Sequence, residues 1–232
     1  MGVITISRQM ASHGCEIAAE VARVLGFRFI DREIIHRAAE EVGVPKIALD
    51  EIAYEGQRNI VDRILQAVNM MPPIPSTAEA WRREAAAPFA QSFGGIFSLV
   101  VPPFAMTLED YVHMMEMVIR NLAQEGKVVL VGRGGQVLLQ DMPQALHVQI
   151  VSPFSRRVET LVEREGIERG EATAKLRASD QARRDYVRRY HRVDWLDPTL
   201  YDLVINTAKI TAPLAIESIV NTYGELQGLD HE

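Results

Sequence analysis

With 232 residues, of which 47% are hydrophobic, the chain is long enough to bury one sizeable core, or a core with a small accessory lobe. Its formal net charge of -6 argues against a nucleic-acid-binding protein that works through a basic face. No run approaches the roughly 20 apolar residues of a membrane span, and no signal peptide precedes the first strand-like run, so a soluble cytoplasmic protein without a membrane partner is expected.

Arginine carries most of the positive charge, and it is unevenly placed. Lysine occurs at only four positions, whereas ten arginines fall between Arg156 and Arg192. A guanidinium is planar, stays protonated and suits bidentate contacts with phosphate, so arginine is expected to carry any anion binding. The single cysteine, Cys15, cannot form an internal disulfide.

Strand-like and helical patterns alternate from the first residues onward. Residues 3–7 form a β-branched run of continuous apolar character, typical of a central parallel strand that is covered on both faces. Residues 16–25 follow with helical spacing and with Gly26 as the expected C-terminal cap. The apolar positions of that helix are Ile17, Val21, Val24 and Leu25. A short strand at 28–30 leads into Asp31, an acid placed to cap the next helix.

The second half of the chain repeats this alternation. Thr107 and Asp110 resemble a capping box before a helix that ends near Gly126. Ser152 and Pro153 predict the N-cap and the first residue of a later helix. Further strands are expected at 127–131, 146–151 and 203–205, and a last helix opens at Thr211. The alternation predicts a doubly wound parallel sheet, whose ligands bind beyond the carboxyl ends of its strands.

Several motifs in a fixed order carry a resemblance to a known family. They are ITISRQ followed by S-x-G-x-E-I-A, then FIDREII, VVLVGRGG, LHVQIVSPFSRRVETLVEREG, DQARRDYVRRY, DW and YDLVINT. Together they cover residues 3–42 and 107–221, and the chain resembles the cytidylate-kinase-like family, a branch of the P-loop nucleoside-monophosphate kinases. The segment 46–106 is not accounted for by the resemblance.

The resemblance implies an α/β fold of the P-loop NTPase type with three layers. Its parts are a five-stranded parallel sheet with helices on both faces, a helical lid and an insertion. We expect one nucleotide-kinase-like domain over 1–232, with a core of about 1–45 and 107–232, an insertion or substrate lobe of about 46–106, and a lid of about 166–195. Residues 46–70 look helical, and the following stretch up to 106 is rich in proline, glycine and aromatic residues without a clear period.

The turn after the first strand is where the resemblance implies ATP and Mg²⁺. Backbone N–H groups and a helix N-terminus form a phosphate site there whatever the side chains are. The expected cofactor contacts are Arg8, Ser12, His13, Gly14, Cys15 and Glu16. A working loop of this class carries lysine, glycine and threonine, and this chain lacks the lysine. His13 or Arg8 could supply positive charge, and Glu16 would repel a phosphate unless Mg²⁺ lay between them. No residue is singled out as a metal ligand.

The acceptor implied by the resemblance is a nucleoside monophosphate, with CMP or dCMP expected. In that reading Asp31 and Arg37, six residues apart, hold the nucleotide, and Arg133 clamps its phosphate from a glycine-flanked turn. In the lid, Arg183 and Arg184 follow Asp180 by one helical turn, so the carboxylate and a guanidinium can share a face. Arg133, Arg183 and Arg184 are the expected catalytic residues, and Asp180 is expected to bind substrate. For Asp31 and Arg37, the alternative is a helix cap and a solvated arginine. For the lid residues, the alternative is a solvated helix with ion pairs along its surface.

Three functions stay open at this point. The first is a phosphotransferase that moves the γ-phosphoryl group of ATP to a nucleoside monophosphate. The second is a nucleotide sensor that keeps the kinase fold without turnover, which the missing lysine and the apolar stretch 87–105 favour. The third is nucleic-acid binding through the arginine cluster, which interleaved glutamates largely neutralise. Monomer and homodimer are both compatible with the sequence.

Overall fold

The computed structural model describes residues 2–31 and 108–228 of the chain. The predictions for Arg37, for the helix after Asp31, for Thr107 and for the stretch 46–106 lie outside the described residues. The chain divides into two compact units, one of Met1–Arg32 with Ile119–Glu232 and one of Glu33–Val118. The predicted bounds of the core, insertion and lid stay predictions.

Strands and helices alternate along the described residues, as the sequence pattern predicts. The strands are β1 (Val3–Arg8), β2 (Arg28–Ile30), β3 (Val128–Val131), β4 (Ala145–Val151) and β5 (Leu203–Asn206). The described helices are α1 (Gly14–Leu25), α2 (Leu108–Glu125), α3 (Gly135–Leu138), α4 (Phe154–Glu165), α5 (Arg169–His191) and α6 (Ala212–Gly228), and a 3₁₀ turn lies at Pro198–Leu200. No helix within 2–31 or 108–228 combines the length and the apolar character needed to cross a membrane.

The five strands form one parallel sheet in the order β2-β3-β1-β4-β5. Val3 on β1 pairs with Val128 on one side and with Ala145 on the other, so the first strand is central. The chain order reverses around β1, which is where open α/β sheets bind ligands beyond the carboxyl ends of their strands. The five-stranded parallel core and the central position of the first strand are therefore confirmed.

One face of the central strands is apolar and packs against α1 and α6. Ile4, Ile6, Val148 and Ile150 are fully buried there, together with Ile17, Ala18 and Val21 of α1 and Ala215 and Ile219 of α6. Gly26 ends α1 in a left-handed conformation at φ 65°, as predicted. Val24 is half exposed, so its predicted inward position is wrong; it lies on the edge of the apolar stripe.

The opposite face of the same strands is polar and buried. Oγ1 of Thr5 lies 2.7 Å from Nδ1 of His147, and α3 covers this face, because a Cβ on Gly135 would lie 3.3 Å from Cγ2 of Thr5. Burial lowers the pKa of His147, while Asp202 and a hydrogen bond with the backbone of Leu139 act in the opposite direction. Helices thus cover both faces, but residues 3–7 alternate in polarity rather than being continuously apolar.

A second buried network lies further along this polar face. Nε2 of Gln149 donates to the carbonyl oxygen of Trp195 at 2.8 Å, and the hydroxyl of Tyr201 donates to the same oxygen at 2.6 Å. Burial raises the pKa of Tyr201 to about 12, opposed by hydrogen bonds with Ser7 and Gln149. The segment that follows α5 is therefore fixed to β1 and β4.

One helix start agrees with the sequence pattern and one differs from it. Helix α1 begins at Gly14, so Glu16 lies in its first turn as expected. Pro153, with φ −53° and ψ 141°, is the N-cap of α4, so the prediction of Ser152 as the cap is wrong. The backbone N–H of Ser152 donates to Oε1 of Gln9 at 2.9 Å, and this bond ties the end of β4 to the segment that follows β1.

Candidate functional site

The first loop, residues 9–13, connects β1 to α1 and is tied to β4. The backbone N–H of Gln9 donates to the Ile150 carbonyl at 3.0 Å. Ser12 is fully buried, and its hydroxyl donates to the Gln9 carbonyl at 2.8 Å. The Ser12 side chain therefore holds the loop together, and a contact with a ligand would have to come from its backbone.

The backbone of the first loop is left-handed at two residues that are not glycine. Ala11 has a φ of 59° and His13 a φ of 60°. His13 precedes the first residue of α1, makes no side-chain capping bond and accepts from the N–H of Ile17 at 3.0 Å. The N–H groups of the first helical turn lack acceptors within the helix. They could hold an anion at the mouth of the loop, since the helix dipole also favours negative charge there.

Arg8 lies between the first loop and the end of β3. A Cβ on Gly14 would collide with the Arg8 stem, and one on Gly132 would lie 2.8 Å from Nη1 of Arg8. Nε of Arg8 also lies 3.4 Å from Sγ of Cys15. Gly14 therefore leaves room for the stem of Arg8, and Gly132 leaves room for its guanidinium. Within residues 2–31 and 108–228, Arg8 forms no ion pair with a carboxylate.

Glu16 and Cys15 occupy exposed positions in the first turn of α1. Oε1 of Glu16 lies 3.9 Å from Nη1 of Arg164, and both side chains are about half exposed, at 57% and 47%. Arg164 therefore offsets part of the negative charge that Glu16 brings to the helix N-terminus. Among the described residues, no group of three or more His, Cys, Asp and Glu side chains could hold a metal ion.

The arginine turn, residues 132–134, follows β3 directly. All three residues are left-handed, with φ values of 80° at Gly132, 56° at Arg133 and 70° at Gly134. The N–H of Gly132 donates to the Ile6 carbonyl at 3.0 Å, so the turn starts beside β1. Asp31 follows β2, which pairs with β3, so Asp31 lies at the same carboxyl edge of the sheet.

The arginine turn contacts the end of helix α5. The guanidinium carbon of Arg133 lies 6.0 Å from the centre of the Tyr186 ring. His191 packs on Gly134, where an added Cβ would lie 2.8 Å from Cδ2 of the imidazole. The structure therefore brings the arginine turn together with the last turns of α5.

Asp180 is bound within the helical hairpin formed by α4 and α5. Its carboxylate accepts from Nη1 and Nη2 of Arg157 at 2.9 Å and 2.8 Å, and Nε of Arg157 donates to the Ser152 carbonyl at 3.1 Å. The expectation that Asp180 shares a face with the two following arginines misses this partner on α4. Arg183 donates to the Ser179 carbonyl at 3.0 Å, and Arg184 donates to Gln181 at 3.1 Å, so both are hydrogen-bonded along their own helix.

The helical hairpin packs on the first loop. Ala11 is buried together with Val158, Leu161, Ala172 and Leu176, and Met10 lies against this cluster. A groove of about 650 Å³ opens on the hairpin between Phe154, Arg177, Ala178, Asp180, Gln181 and Arg184. Phe154 has the guanidinium carbons of Arg157 and Arg177 over its ring, at 5.3 Å and 6.0 Å.

Sequence reasoning missed Arg157, Phe154, Tyr186 and His191. The only available signal for Arg157 was its place four residues after Pro153, near the start of the predicted helix, and the many neighbouring arginines concealed it. Tyr186 and His191 carry no signal in the sequence, because their contacts with the arginine turn cross from one element to another.

Comparisons with known proteins agree with this architecture. The family model described as "Cytidylate kinase-like family" matches residues 3–209. The cytidylate kinase of Thermococcus kodakarensis is 29% identical over 125 residues, which are 50% of this chain and 64% of that protein. A uronate isomerase of Corynebacterium glutamicum is 27% identical over 95 residues, 41% of this chain and 18% of that protein. The chain thus spans less than two thirds of each relative.

A solved structure supports the fold at low sequence identity. The crystal structure of an uncharacterized protein from Eubacterium ventriosum has a TM-score of 0.61 and 17% identity, and covers 97% of this chain and 99% of that chain. That likeness concerns the fold alone, whereas the family model extends over most of the sequence. The chain therefore belongs to the cytidylate kinase-like family.

Proposed function

We propose that the protein transfers the γ-phosphoryl group of ATP to a nucleoside monophosphate, with CMP or dCMP as the preferred acceptor. Family membership supports a phosphotransferase. A relative named cytidylate kinase supports the choice of base. ATP as the donor also implies a cytoplasmic location.

The position of Arg8 is the observation that carries this proposal. Its stem lies against Gly14 and its guanidinium lies against Gly132, at the central strand around which the sheet reverses. It has no carboxylate partner among the described residues, so an anion would complete its interactions. A charged group that is left uncompensated at such a cleft is typical of a ligand site.

The residues of the first loop fit the phosphates of ATP. Backbone N–H groups at residues 14–16 would hold the phosphates, and Arg8 would supply from β1 the charge that a lysine normally supplies from the loop. Losing one preorganised donor typically costs on the order of 10²–10³ in rate, roughly 3–4 kcal/mol. We expect Arg8 to recover part of that loss.

When both are bound, ATP supplies the phosphoryl group and Mg²⁺ shields the negative charge of the phosphates. Mg²⁺ usually keeps several waters and takes one or two carboxylates plus phosphate oxygens, so an extensive protein ligand set is not required. Glu16 is the carboxylate nearest the helix N-terminus and fits that role if it leaves Arg164. Arg133 would hold the acceptor phosphate, with Asp31 and Arg37 near the acceptor nucleoside. Arg183, Arg184 and Asp180 would contribute from the lid.

A second candidate is a protein that binds nucleotide without turnover. The absence of the loop lysine favours it, because Arg8 approaches from the strand rather than from the helix N-terminus. Both candidates require phosphate binding at the first loop, and they differ only in whether transfer follows.

The decisive experiment pairs a transfer assay with a binding assay. Transfer is measured with ATP, Mg²⁺ and CMP, dCMP, UMP or AMP. Binding is followed by mass as protection of Cys15 against iodoacetamide, because Cys15 is exposed and is the only cysteine. We expect ATP to protect Cys15 in the wild type and in Arg8→Lys, and to protect it much less in Arg8→Ala.

Arg156→Ala is the matched control, since Arg156 is an exposed arginine paired with Glu159. Transfer to a nucleoside monophosphate supports the enzyme, and protection without transfer supports the sensor. If millimolar ATP protects Cys15 in neither the wild type nor the control, both candidates fail.

Cys15→Arg separates the two candidates further. Arg8 contacts Cys15, so this substitution would place two guanidinium groups around one spot that a phosphate could bridge. An enzyme should then transfer faster, whereas a sensor should bind ATP more tightly with no transfer. Calorimetric titration with ATP replaces the labelling assay, because the variant has no cysteine.

A further inference from the structure

We propose that Tyr186 and His191 are positioning residues that hold Arg133 toward the acceptor phosphate and thereby link acceptor binding to helix α5. The inference rests on the proposed function, in which Arg133 binds the acceptor. We call this pair the aromatic clasp. Neither residue is expected to touch the reacting atoms.

The backbone of the arginine turn needs support from outside. Three consecutive left-handed residues include Arg133, which is not glycine. A left-handed conformation is unfavourable for a residue with a Cβ. Such a conformation persists where surrounding structure enforces it. The turn also starts α3, because the N–H groups of Val137 and Leu138 donate to the Gly134 carbonyl at 2.8 Å and 2.9 Å.

The aromatic clasp supplies support on two sides of the turn. Tyr186 lies under the Arg133 guanidinium at 6.0 Å, and the His191 imidazole lies on Gly134. The two rings also contact each other edge to face, with centres 5.8 Å apart. Tyr190 packs on Tyr186 at 5.2 Å and limits its rotation.

The end of α5 that bears the clasp is fixed to the sheet. Arg192 ends the helix in a left-handed conformation at φ 61°. Three residues later, the Trp195 carbonyl accepts from Gln149 and from Tyr201. Arg183 precedes Tyr186 by three residues, so the two side chains lie on one face of α5. The clasp therefore joins the expected lid arginine and the acceptor arginine in one rigid arrangement.

This arrangement predicts a selective effect on the acceptor. Arg8, which would hold ATP together with the first loop, lies against Gly132, whereas the clasp lies against Arg133 and Gly134. Loss of the Tyr186 ring should therefore weaken acceptor binding and leave donor binding unchanged. A ring without the hydroxyl should suffice, because the attraction comes from the ring face.

The test compares Tyr186→Leu with Tyr186→Phe, and uses Arg188→Leu as a control on the exposed side of α5. For Tyr186→Leu we expect the KM for CMP to rise roughly tenfold, the size of a partly desolvated cation–π contact. The KM for ATP and kcat should change by less than about twofold, and Tyr186→Phe should match the wild type. Hydrogen exchange over residues 132–139 should accelerate only in Tyr186→Leu.

The outcomes separate this inference from the proposed function. If the wild type phosphorylates CMP and Tyr186→Leu has the KM of the control, the positioning role is wrong. Faster exchange over 132–139 with an unchanged KM means that the clasp is merely structural, and it overturns the inference as well. If the wild type neither binds nor phosphorylates any of the monophosphates, the proposed function fails and this inference falls with it.

Discussion

The first loop and the arginine turn leave neighbouring strands at the same edge of the sheet, but they differ in how they accommodate left-handed residues. The first loop places Ala11 and His13 in that conformation, and the arginine turn surrounds Arg133 with Gly132 and Gly134. The two glycines of the turn are crowded by the side chains of Arg8 and His191. Ala11, in contrast, has its methyl group buried in the hydrophobic cluster of the helical hairpin.

This difference shows that glycine is required in the arginine turn because a Cβ would have no room there, and less because of the backbone angle. A Cβ is accepted at a positive φ where there is room for it, as at His13, or where it packs, as at Ala11. It is not accepted where another side chain lies directly against the backbone, as Arg8 does at Gly132 and His191 does at Gly134. Of the four predictions below, three test this distinction and one tests the support of the arginine turn; they are given in order of decreasing size.

The largest effect is expected for Gly134→Ala. The new Cβ would meet the His191 ring and would also stand at φ 70°. The left-handed backbone conformation costs alanine about 1–2 kcal/mol, and the collision of the new Cβ with the ring adds about 1–3 kcal/mol. We expect the free energy of unfolding in urea to fall by about 3 kcal/mol in total.

Gly26→Ala is the matched control for that variant. Gly26 has φ 65°, and nothing lies within 4 Å of an added Cβ. Its substitution should incur only the cost of the left-handed backbone conformation, about 1 kcal/mol. Equal losses in the two variants would show that the contact with His191 contributes nothing.

The second prediction concerns pH and the support of the arginine turn. Burial lowers the pKa of His147 below 6.5, so the folded protein resists a proton that the unfolded chain takes up near pH 6.5. The contribution of His147 to the free energy of unfolding is therefore fully present above pH 6.5 and is lost as the pH falls below it. The slope reaches at most about 1.4 kcal/mol per pH unit.

His147→Gln should flatten this slope, and His113→Gln, at a side chain that is 72% exposed, should not. Because His147 bonds Thr5 and the backbone of Leu139, hydrogen exchange at pH 5.5 should rise over 132–139 before it rises over 9–14. An unchanged slope in His147→Gln would assign the pH dependence to other groups.

Much of the fold follows from local patterns in the sequence. The order of strands and helices, the Gly26 cap and the central first strand are signalled by periodicity, glycine and branched residues over short windows. The polar face of β1 could also have been predicted from the sequence, because Thr5 and Ser7 alternate with isoleucine. The prediction weighed the β-branched character of the run above its alternation.

The contacts of the site could not be predicted in the same way. Arg157 and Asp180 are 23 residues apart and meet only when the helical hairpin closes. Arg8 reaches Gly132 only because β1 pairs with β3. Nothing in the sequence marks Ala11 or His13 as left-handed, because glycine and asparagine are the usual signals of that conformation.

The third prediction is that Ala11→Gly destabilises the protein slightly. Glycine would relieve about 1 kcal/mol of backbone strain. It would also remove a buried methyl group worth about 0.8 kcal/mol and add about 0.5–1 kcal/mol of chain entropy to the unfolded state. We expect a net loss of about 0.5 kcal/mol in urea unfolding. A clear gain in stability would mean that the Ala11 methyl does not hold the helical hairpin on the first loop.

The smallest effect, and one of opposite sign, is expected for His13→Gly. The His13 side chain is exposed and makes no capping bond, so its removal sacrifices no packing. Relief of left-handed strain, about 1 kcal/mol or more, should exceed the entropy cost of glycine, about 0.5–1 kcal/mol. A gain of about 0.3 kcal/mol in urea unfolding is the expected result. The same variant tests whether His13 lends charge to the first loop. Protection of Cys15 by ATP should be unchanged if Arg8 is the cation that matters. A loss of protection would instead assign part of the phosphate binding to His13.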